Sequence, residues 1–356
     1  MIRKKMLITG GAGFIGANSA IEFQKRGWDI TIVDNLSRAG TQLNLDWLKK
    51  EIPLDFHQID IRDYNCLRSV FYQNSFDAVL HLAAQVAVTT SVVNPREDFE
   101  VNALGTFNVL ECVRLYSSAA HFLYASTNKV YGELSHLKVV VKDDRYEYQN
   151  SKKGINEDMP LDFHSPYGCS KGAGDQYVID YSRIYDLKTT SLRQSCVYGP
   201  RQFGMEDQGW VAWFMIATLL NRSITIYGDG KQIRDVLHVD DLINLYEQCL
   251  LKPEKSSGQA FNVGGGVKNT LSLLELLDFI KSSLGKESNI SYSDWRPGDQ
   301  KVYVSEISKV ENLLNWTPKL DCAKGLPLLL NWIKKNQKIF ETVWESTSLD
   351  KSKIAA

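Results

Sequence analysis

An apolar run, Met6-Leu7-Ile8-Thr9, feeds directly into Gly10-Gly11-Ala12-Gly13-Phe14-Ile15-Gly16 and then into a helical pattern that lasts through Arg26. No other stretch constrains the fold as tightly, because strand, glycine turn and helix in that order build a dinucleotide cradle. Gly10 allows the tight turn, Gly13 lets the backbone approach a pyrophosphate, and Gly16 lets helix and strand pack closely. The free N–H groups of the first helical turn, at Phe14 and Ile15, then face the anion. A second strand-like run, Ile30-Thr31-Ile32-Val33, ends in Asp34, 18 positions after Gly16. A carboxylate there accepts ribose hydroxyls and repels a 2′-phosphate, which favours NAD over NADP. Arg38 pulls the other way, since a guanidinium suits that phosphate.

Beyond Asp34, strand-like runs at 54–58, 78–82, 122–125 and 189–193 alternate with helical periodicity such as 103–116. This alternation argues for a parallel sheet covered by helices on both faces, a doubly wound α/β Rossmann domain over residues 1–195. After Val197-Tyr198-Gly199-Pro200 the pattern turns irregular, with helices expected near 210–220, 272–283 and 324–335. Residues 196–340 therefore read as a smaller mixed α/β substrate lobe over the carboxyl edge of the sheet. The polar stretch 133–162 has little periodicity and is either a substrate lid or a solvated insertion. The Ser- and Lys-rich end, 345–356, is expected to be disordered.

With 356 residues, 44% hydrophobic and 23% charged, the chain can bury the core of an enzyme this size. A net charge of −1 without basic blocks outside the C-terminal tail argues against nucleic acid as a partner. The six cysteines, at 66, 112, 169, 196, 249 and 322, form no C-x-x-C pair, so neither a zinc site nor a disulfide framework is visible and no metal is expected. The N-terminus enters the first strand without a signal-peptide apolar region, and no apolar run has the length of a membrane span. A cytoplasmic protein with no membrane partner is the expectation.

Chemistry enters at His164-Ser165-Pro166-Tyr167-Gly168-Cys169-Ser170-Lys171, which sets Tyr167 and Lys171 four residues apart on one helical face. The ammonium is expected to lower the phenol's pKa from its reference of roughly 10. Such a base takes the proton of a sugar hydroxyl while a hydride leaves the carbon. Tyr124-Ala125-Ser126-Thr127 brings hydroxyls to the same sheet edge, with Thr127 placed to hydrogen-bond the reacting oxygen and Ser126 in reserve.

Taken with Asp60-Ile61, His81-Leu82-Ala83-Ala84-Gln85, Asn102, Val130-Tyr131-Gly132 and Arg234-Asp235-Val236, these motifs resemble the extended short-chain dehydrogenases that modify nucleotide sugars, over nearly the whole chain. The resemblance implies that Asn35, Ser37 and Arg38 flank Asp34 beside the adenosine, and that Asp60 and Ile61 hold the adenine. It also implies that Leu82, Ala83, Ala84 and Gln85 lie along the cofactor, that Asn102 orders that neighbourhood, and that Lys171 also holds the nicotinamide ribose. Dehydratases of this kind carry an Asp-Glu pair directly after the threonine. Here Asn128 and Lys129 stand there, and dehydration loses its general acid and base.

The tracts 126–132, 161–171 and 199–210 are instead similar to 2-epimerases of CDP-linked 3,6-dideoxyhexoses. That implies a CDP-linked deoxyhexose as substrate and inversion at C2 through transient oxidation by bound NAD. The alternatives are a UDP-hexose 4-epimerase, a dehydrogenase that releases NADH, and, from another class, an NAD-binding sensor without catalysis. On the substrate side the resemblance points to Arg234 and Arg296 for the pyrophosphate, with ion pairs to Asp235 or Asp299 as the structural alternative. Tyr227 belongs to the strand that lines the nucleobase, and Asn128 and Cys196 stand near the sugar, Cys196 where many epimerases have Asn. Arg201 and Gln202 are weaker candidates for sugar or phosphate contacts, and His164 is either a proton shuttle or structural. Relatives pair through helices flanking the Tyr-Lys helix, implying a homodimer or homotetramer.

Overall fold

The computed structural model describes residues 3–296 and 299–343. The expectation for the tail 345–356 lies outside them. From the N-terminus the chain forms β1 (Lys5–Thr9), α1 (Phe14–Lys25), β2 (Asp29–Asp34), α2 (Thr41–Glu51), β3 (Asp55–Gln58), α3 (Tyr64–Gln73) and β4 (Ala78–His81). Next come α4 (Val88–Val93), α5 (Pro95–Phe99), α6 (Gly105–Tyr116), β5 (His121–Thr127), a hairpin of β6 (Val139–Lys142) and β7 (Arg145–Tyr148), α7 (Ser165–Tyr185), β8 (Lys188–Gln194) and β9 (Cys196–Tyr198). The remainder is α8 (Trp210–Leu219), β10 (Ser223–Tyr227), β11 (Ile233–His238), α9 (Val239–Leu251), α10 (Pro253–Ser256), β12 (Gln259–Val263), β13 (Thr270–Ser272), α11 (Leu273–Leu284), β14 (Asn289–Ser293), β15 (Val302–Tyr303), α12 (Ser308–Leu314) and α13 (Cys322–Lys335).

Seven strands form one parallel sheet in the order β12-β8-β5-β4-β1-β2-β3. Its central strands are apolar without alternation, as strands covered on both faces must be: Met6, Leu7 and Ile8 of β1 are all buried. The order reverses between β4 and β1, so the crevice at their carboxyl ends is the topological switch point. Thr9, Asp34, His81 and Thr127 all end strands at that edge.

Between α5 and α6 the chain makes a π-helical turn, Glu100–Leu104, so the regular helix expected from 103 starts only at Gly105. The wider turn carries Asn102 into the interior, fully buried.

The smaller unit pairs β11 with β9, β13 and β15, and separately β10 with β14. Its core gathers the apolar faces of α8, α11 and α13 around Phe214, Ile216, Leu276, Leu329 and Ile333. The chain crosses back, however. Leu242, Ile243 and Tyr246 of α9, Phe261 of β12, and Val310, Leu314 and Trp316 pack in the same core as β1 and β2. The expected cut at 195/196 thus describes only the first crossing between the two units.

The insertion 133–162 is neither a free lid nor a solvated loop, because its hairpin is stapled to the smaller unit. Tyr146 N–H donates to Lys231 O at 3.0 Å, and the Tyr146 hydroxyl donates to Asp229 at 2.7 Å. Tyr148 donates to Val302 O at 2.7 Å, and Arg145 reaches Glu275 at 3.0 Å and Thr270 at 2.6 Å.

Candidate active site

The dinucleotide side of the crevice is made of backbone. Gly10 lies at φ 66°, and a Cβ there would stand 2.7 Å from Ala83 N. A Cβ on Gly16 would meet Gly10 O at 2.4 Å, so helix α1 sits against the turn at a distance that only glycine permits. Gly13 caps α1 without any side-chain hydrogen bond, leaving the first-turn N–H groups of Phe14, Ile15 and Gly16 facing the crevice. This cradle fits a dinucleotide pyrophosphate.

Asp34 accepts from Ala12 N at 3.0 Å and Leu36 N at 2.8 Å, which ties the glycine turn to the end of β2. Burial pushes its carboxyl pKa up despite those bonds. Asp60 takes Arg62 in a two-pronged pair at 2.9 and 2.8 Å and Asn35 at 2.9 Å. The Arg62 contact, against burial, holds its carboxyl down to about 2. Asn35 in turn accepts Ser37 N at 3.1 Å, so 35–37 and Asp60 form one rim. Burial pulls the Arg38 guanidinium below its ordinary value.

Helix α7 opens at Ser165, with Pro166 in its first turn, and delivers Tyr167 and Lys171 to the carboxyl edge beside Thr127. Both are buried, and the Thr127 side chain stands beside the Tyr167 phenol. The electrostatics correct the expectation from spacing. Burial pushes the Tyr167 phenol up to about 12, with Thr127 drawing it down and Asp98 adding to the rise. Lys171, 4.2 Å over the Tyr124 ring and near Asp175 and Asp98, does not lower it, since it gives up its charge well below the pH at which this phenol ionises. Burial brings Lys171 down to about 7 against those two carboxylates.

Asp98 and Asp175 escaped sequence reasoning. Asp98 lies in the charged run Pro95-Arg96-Glu97-Asp98, which carries no signal of burial, yet it is fully enclosed and binds Ser170 at 2.5 Å, Gln85 at 2.9 Å and Asn102 at 3.1 Å. Asp175 was detectable, since Tyr167, Lys171 and Asp175 stand at successive four-residue steps on one face of α7. It receives the Arg193 guanidinium at 3.1 and 2.9 Å, with Ser191 at 2.5 Å and Ser126 at 2.8 Å.

Several candidates have partners of their own within the protein. The hydroxyl of Ser126 is spent on Asp175 and leaves Thr127 as the one of the two facing Tyr167. Asn102 bonds both Gln85 N and Gln85 O at 2.9 Å and reaches Asp98 and Ser170, so it braces the loop after β4 against α7. The Arg201 guanidinium stacks 3.8 Å over Trp47 and 5.9 Å from Trp332, an aromatic clamp between α2 and α13. Gln202 donates to Val197 O at 3.2 Å and pins its own loop. His164 pairs with Asp162 at 3.1 Å and Glu133 at 3.5 Å at the exposed start of α7.

The opposite side of the crevice is a wall of charges. Arg234 donates to Asp299 at 2.6 Å, and Lys129 lies 3.7 Å from the same oxygen. The ion-pair alternative for Arg234 is therefore realised with Asp299; Asp235 is buried elsewhere, under Gly266. Burial works against the Asp299 carboxylate, but Arg234 and Lys129 together hold its pKa below the ordinary range. Asn128 connects Thr127 at 3.3 Å to Gln300 at 3.4 Å, and Gln300 donates to Gly132 O at 2.5 Å. Cys196 accepts Trp210 Nε1–H at 3.4 Å, and burial pushes its thiol up. Arg296 stacks 4.0 Å over Tyr227 and reaches Asp207 at 3.5 Å.

The family model for GDP-mannose 4,6 dehydratase matches residues 7–328. The chain belongs to that family. It is 44% identical over 333 residues to the CDP-paratose 2-epimerase of Salmonella typhi, covering 92% of this chain and 98% of that enzyme. Among solved structures, the UDP-glucose 4-epimerase of Thermus thermophilus in complex with NAD superposes with a TM-score of 0.78 at 30% identity, covering 93% of this chain and 99% of that one. The dTDP-glucose 4,6-dehydratase of Streptomyces venezuelae, with NAD bound, gives a TM-score of 0.81 at 27% identity, covering 95% and 99%. Like these relatives, the chain has a parallel central sheet flanked by helices. No helix among the described residues is long and apolar enough to cross a membrane.

Proposed function

We propose that the chain is a CDP-paratose 2-epimerase, inverting C2 of its sugar through a 2-ketone. The observation that carries this reading is the 44% identity to such an enzyme across 98% of that enzyme's length. It agrees with Asn128 and Lys129 at the two positions where a dehydratase needs carboxylates. NAD, when bound, supplies the hydride acceptor and then the hydride donor, and brings a positive ring into the pocket of the Tyr167 phenol. Gly10, Gly13 and Gly16 with the N–H groups of Phe14 and Ile15 would hold its pyrophosphate, Asp34 its adenosine ribose, Asp60 and Ile61 its adenine, and Lys171 its other ribose.

Carbon 2 of a sugar without a neighbouring carbonyl carries no acidic hydrogen, so inversion needs oxidation first. Tyr167, once its own phenol proton has passed to solvent, takes as a phenolate the proton of the C2 hydroxyl while the hydride of C2 would leave to the cofactor, and Thr127 hydrogen-bonds the oxygen as it becomes a ketone. The sugar then turns about its link to the pyrophosphate, which Arg234 and Arg296 would hold by their guanidinium forks. Tyr167 returns the proton to the oxygen on the inverted carbon, and the cycle closes without net redox change. The free protein keeps this phenol protonated, so the acid form is its resting state.

Two copies would pair through α6 and α7, where Leu115, Tyr177, Ile184 and Tyr185 are exposed apolar side chains. Light scattering of Ile184→Glu against the parent protein checks that reading, a shift to monomer being expected.

The function is tested by incubating purified protein, with no cofactor added, with CDP-paratose, UDP-galactose and CDP-glucose while following the sugar protons by NMR. Conversion of CDP-paratose to its C2 epimer is the expected result. Inversion of UDP-galactose at C4 would assign the chain to the 4-epimerases, and silence on all three from NAD-loaded protein would leave a sensor or a different sugar.

A further inference from the structure

Lys129 is a cation whose partner, Asp299, is shared with Arg234. It is the second residue of the short 3-10 turn Asn128–Tyr131 that follows Thr127, and its backbone N–H is anchored to the Thr127 hydroxyl at 3.2 Å. Its side chain is 21% exposed, and among the described residues its ammonium pairs with Asp299, at 3.7 Å. That carboxylate oxygen already accepts Arg234 at 2.6 Å and Gln300 N at 3.0 Å. Two cations thus share one anion, beside the threonine that meets the reacting sugar oxygen, and one positive charge is left over.

Resting on the nucleotide-sugar reading above, we propose that Lys129 is a substrate-anchoring residue whose ammonium binds the sugar-side phosphate of the pyrophosphate, next to Arg234. A carboxylate at this position would repel that phosphate, whereas an ammonium fixes the pivot about which the sugar turns. Burial works against the charge on Lys129, and a single shared carboxylate offsets that only in part. An arriving phosphate supplies the missing anion. A sugar hydroxyl would fill the donors but leave the excess charge, which is why phosphate is the ligand argued here. The contact exists before and during reaction, so its loss weakens binding without slowing the chemistry.

The probes are CDP, which carries the sugar-side phosphate, and CMP, which lacks it, titrated calorimetrically into NAD-loaded protein. Wild type binding CDP more tightly than CMP is a check on the nucleotide-sugar reading; failure to bind either nucleotide would sink that reading rather than the role of Lys129. Lys129→Gln is expected to lose about 10- to 100-fold in CDP affinity, the range for a hydrogen bond to a charged group, with CMP affinity unchanged. Lys129→Arg should recover most of it. An unchanged CDP-to-CMP ratio in a Lys129→Gln protein that retains its NAD and its unfolding temperature would overturn the proposal and hand the ammonium to the sugar. Equal losses for both nucleotides would overturn it too, by showing general disruption of the wall.

Discussion

On the β1 side of the crevice the surface is backbone brought close by missing side chains, with Gly10 at φ 66° and Gly16 against the carbonyl of Gly10. Across from it the surface is side-chain charge, with Lys129, Arg234 and Asp299 drawn from three segments and sharing a single carboxylate oxygen. The first wall tolerates no added atom, so damage to it should be steep and should strike cofactor retention. The second is held by charges within reach of solvent and substrate, so damage to it should be graded and should strike substrate binding. Tyr167 stands at the seam between them.

The largest effect is expected at that seam. Tyr167→Phe removes the one proton carrier and should lower kcat by about 10²- to 10⁴-fold, with NAD still copurifying. Pre-steady-state turnover alongside the NAD content of denatured protein measures both; a variant that had lost its NAD would place the phenol in the cradle rather than at the seam. Next in size is Gly10→Ala, which forces a left-handed alanine, costing about 1–2 kcal/mol, and drives a methyl into Ala83 N. Bound NAD should fall about tenfold or more while the pyrophosphate wall, read by CDP titration of NAD-reconstituted protein, is spared.

Two arginines sharpen the contrast further. Arg234→Met should raise KM for the nucleotide sugar about 10- to 100-fold with kcat changed little. Arg201→Met, which empties the clamp between Trp47 and Trp332, should leave KM alone and cost about 1–2 kcal/mol in denaturant unfolding. Equal KM effects from both would mean that the aromatic clamp opens when substrate binds.

The same contrast explains what could be read in the chain. A close approach that only glycine satisfies writes itself into the sequence, as does a Tyr-Lys pair at helical spacing, and both were legible. Depth of burial is not local, so the spacing predicts the wrong direction for Tyr167: a lysine is visible at four residues' distance, whereas the desolvation that raises the phenol, and that also strips Lys171 of its leverage, is not. Ser126 and Asn102 were found at the site, but the groups that occupy them, Asp175 and Asp98, come from 49 and 4 residues away in a fold that had first to be closed. Arg201 and Arg234 look alike as letters, and only packing gives one to tryptophan faces and the other to Asp299.

At neutral pH the smallest expected effect belongs to the buried amino end of the sheet, and it grows only on acidification. His121 donates from Nε2 to Thr190 Oγ1 at 2.9 Å, because the Thr190 hydroxyl spends its own proton on Ser256 O at 2.9 Å. The opposite ring nitrogen has no partner among the described residues, and burial brings the pKa down to about 4 from 6.5. Below pH 6.5 the unfolded chain takes a proton that the folded chain refuses, so stability present above that pH is lost at about 1.4 kcal/mol per pH unit down to about pH 4. His81, brought down to about 3 by burial, adds a loss of the same sign. His121→Gln keeps a donor for Thr190 but binds no proton, so the difference between its urea unfolding free energy and that of the parent should change with pH by that slope and flatten above pH 6.5. Parallel curves would mean that His121 titrates alike in both states, and that this end of the sheet opens to water far more readily than the glycine wall above it.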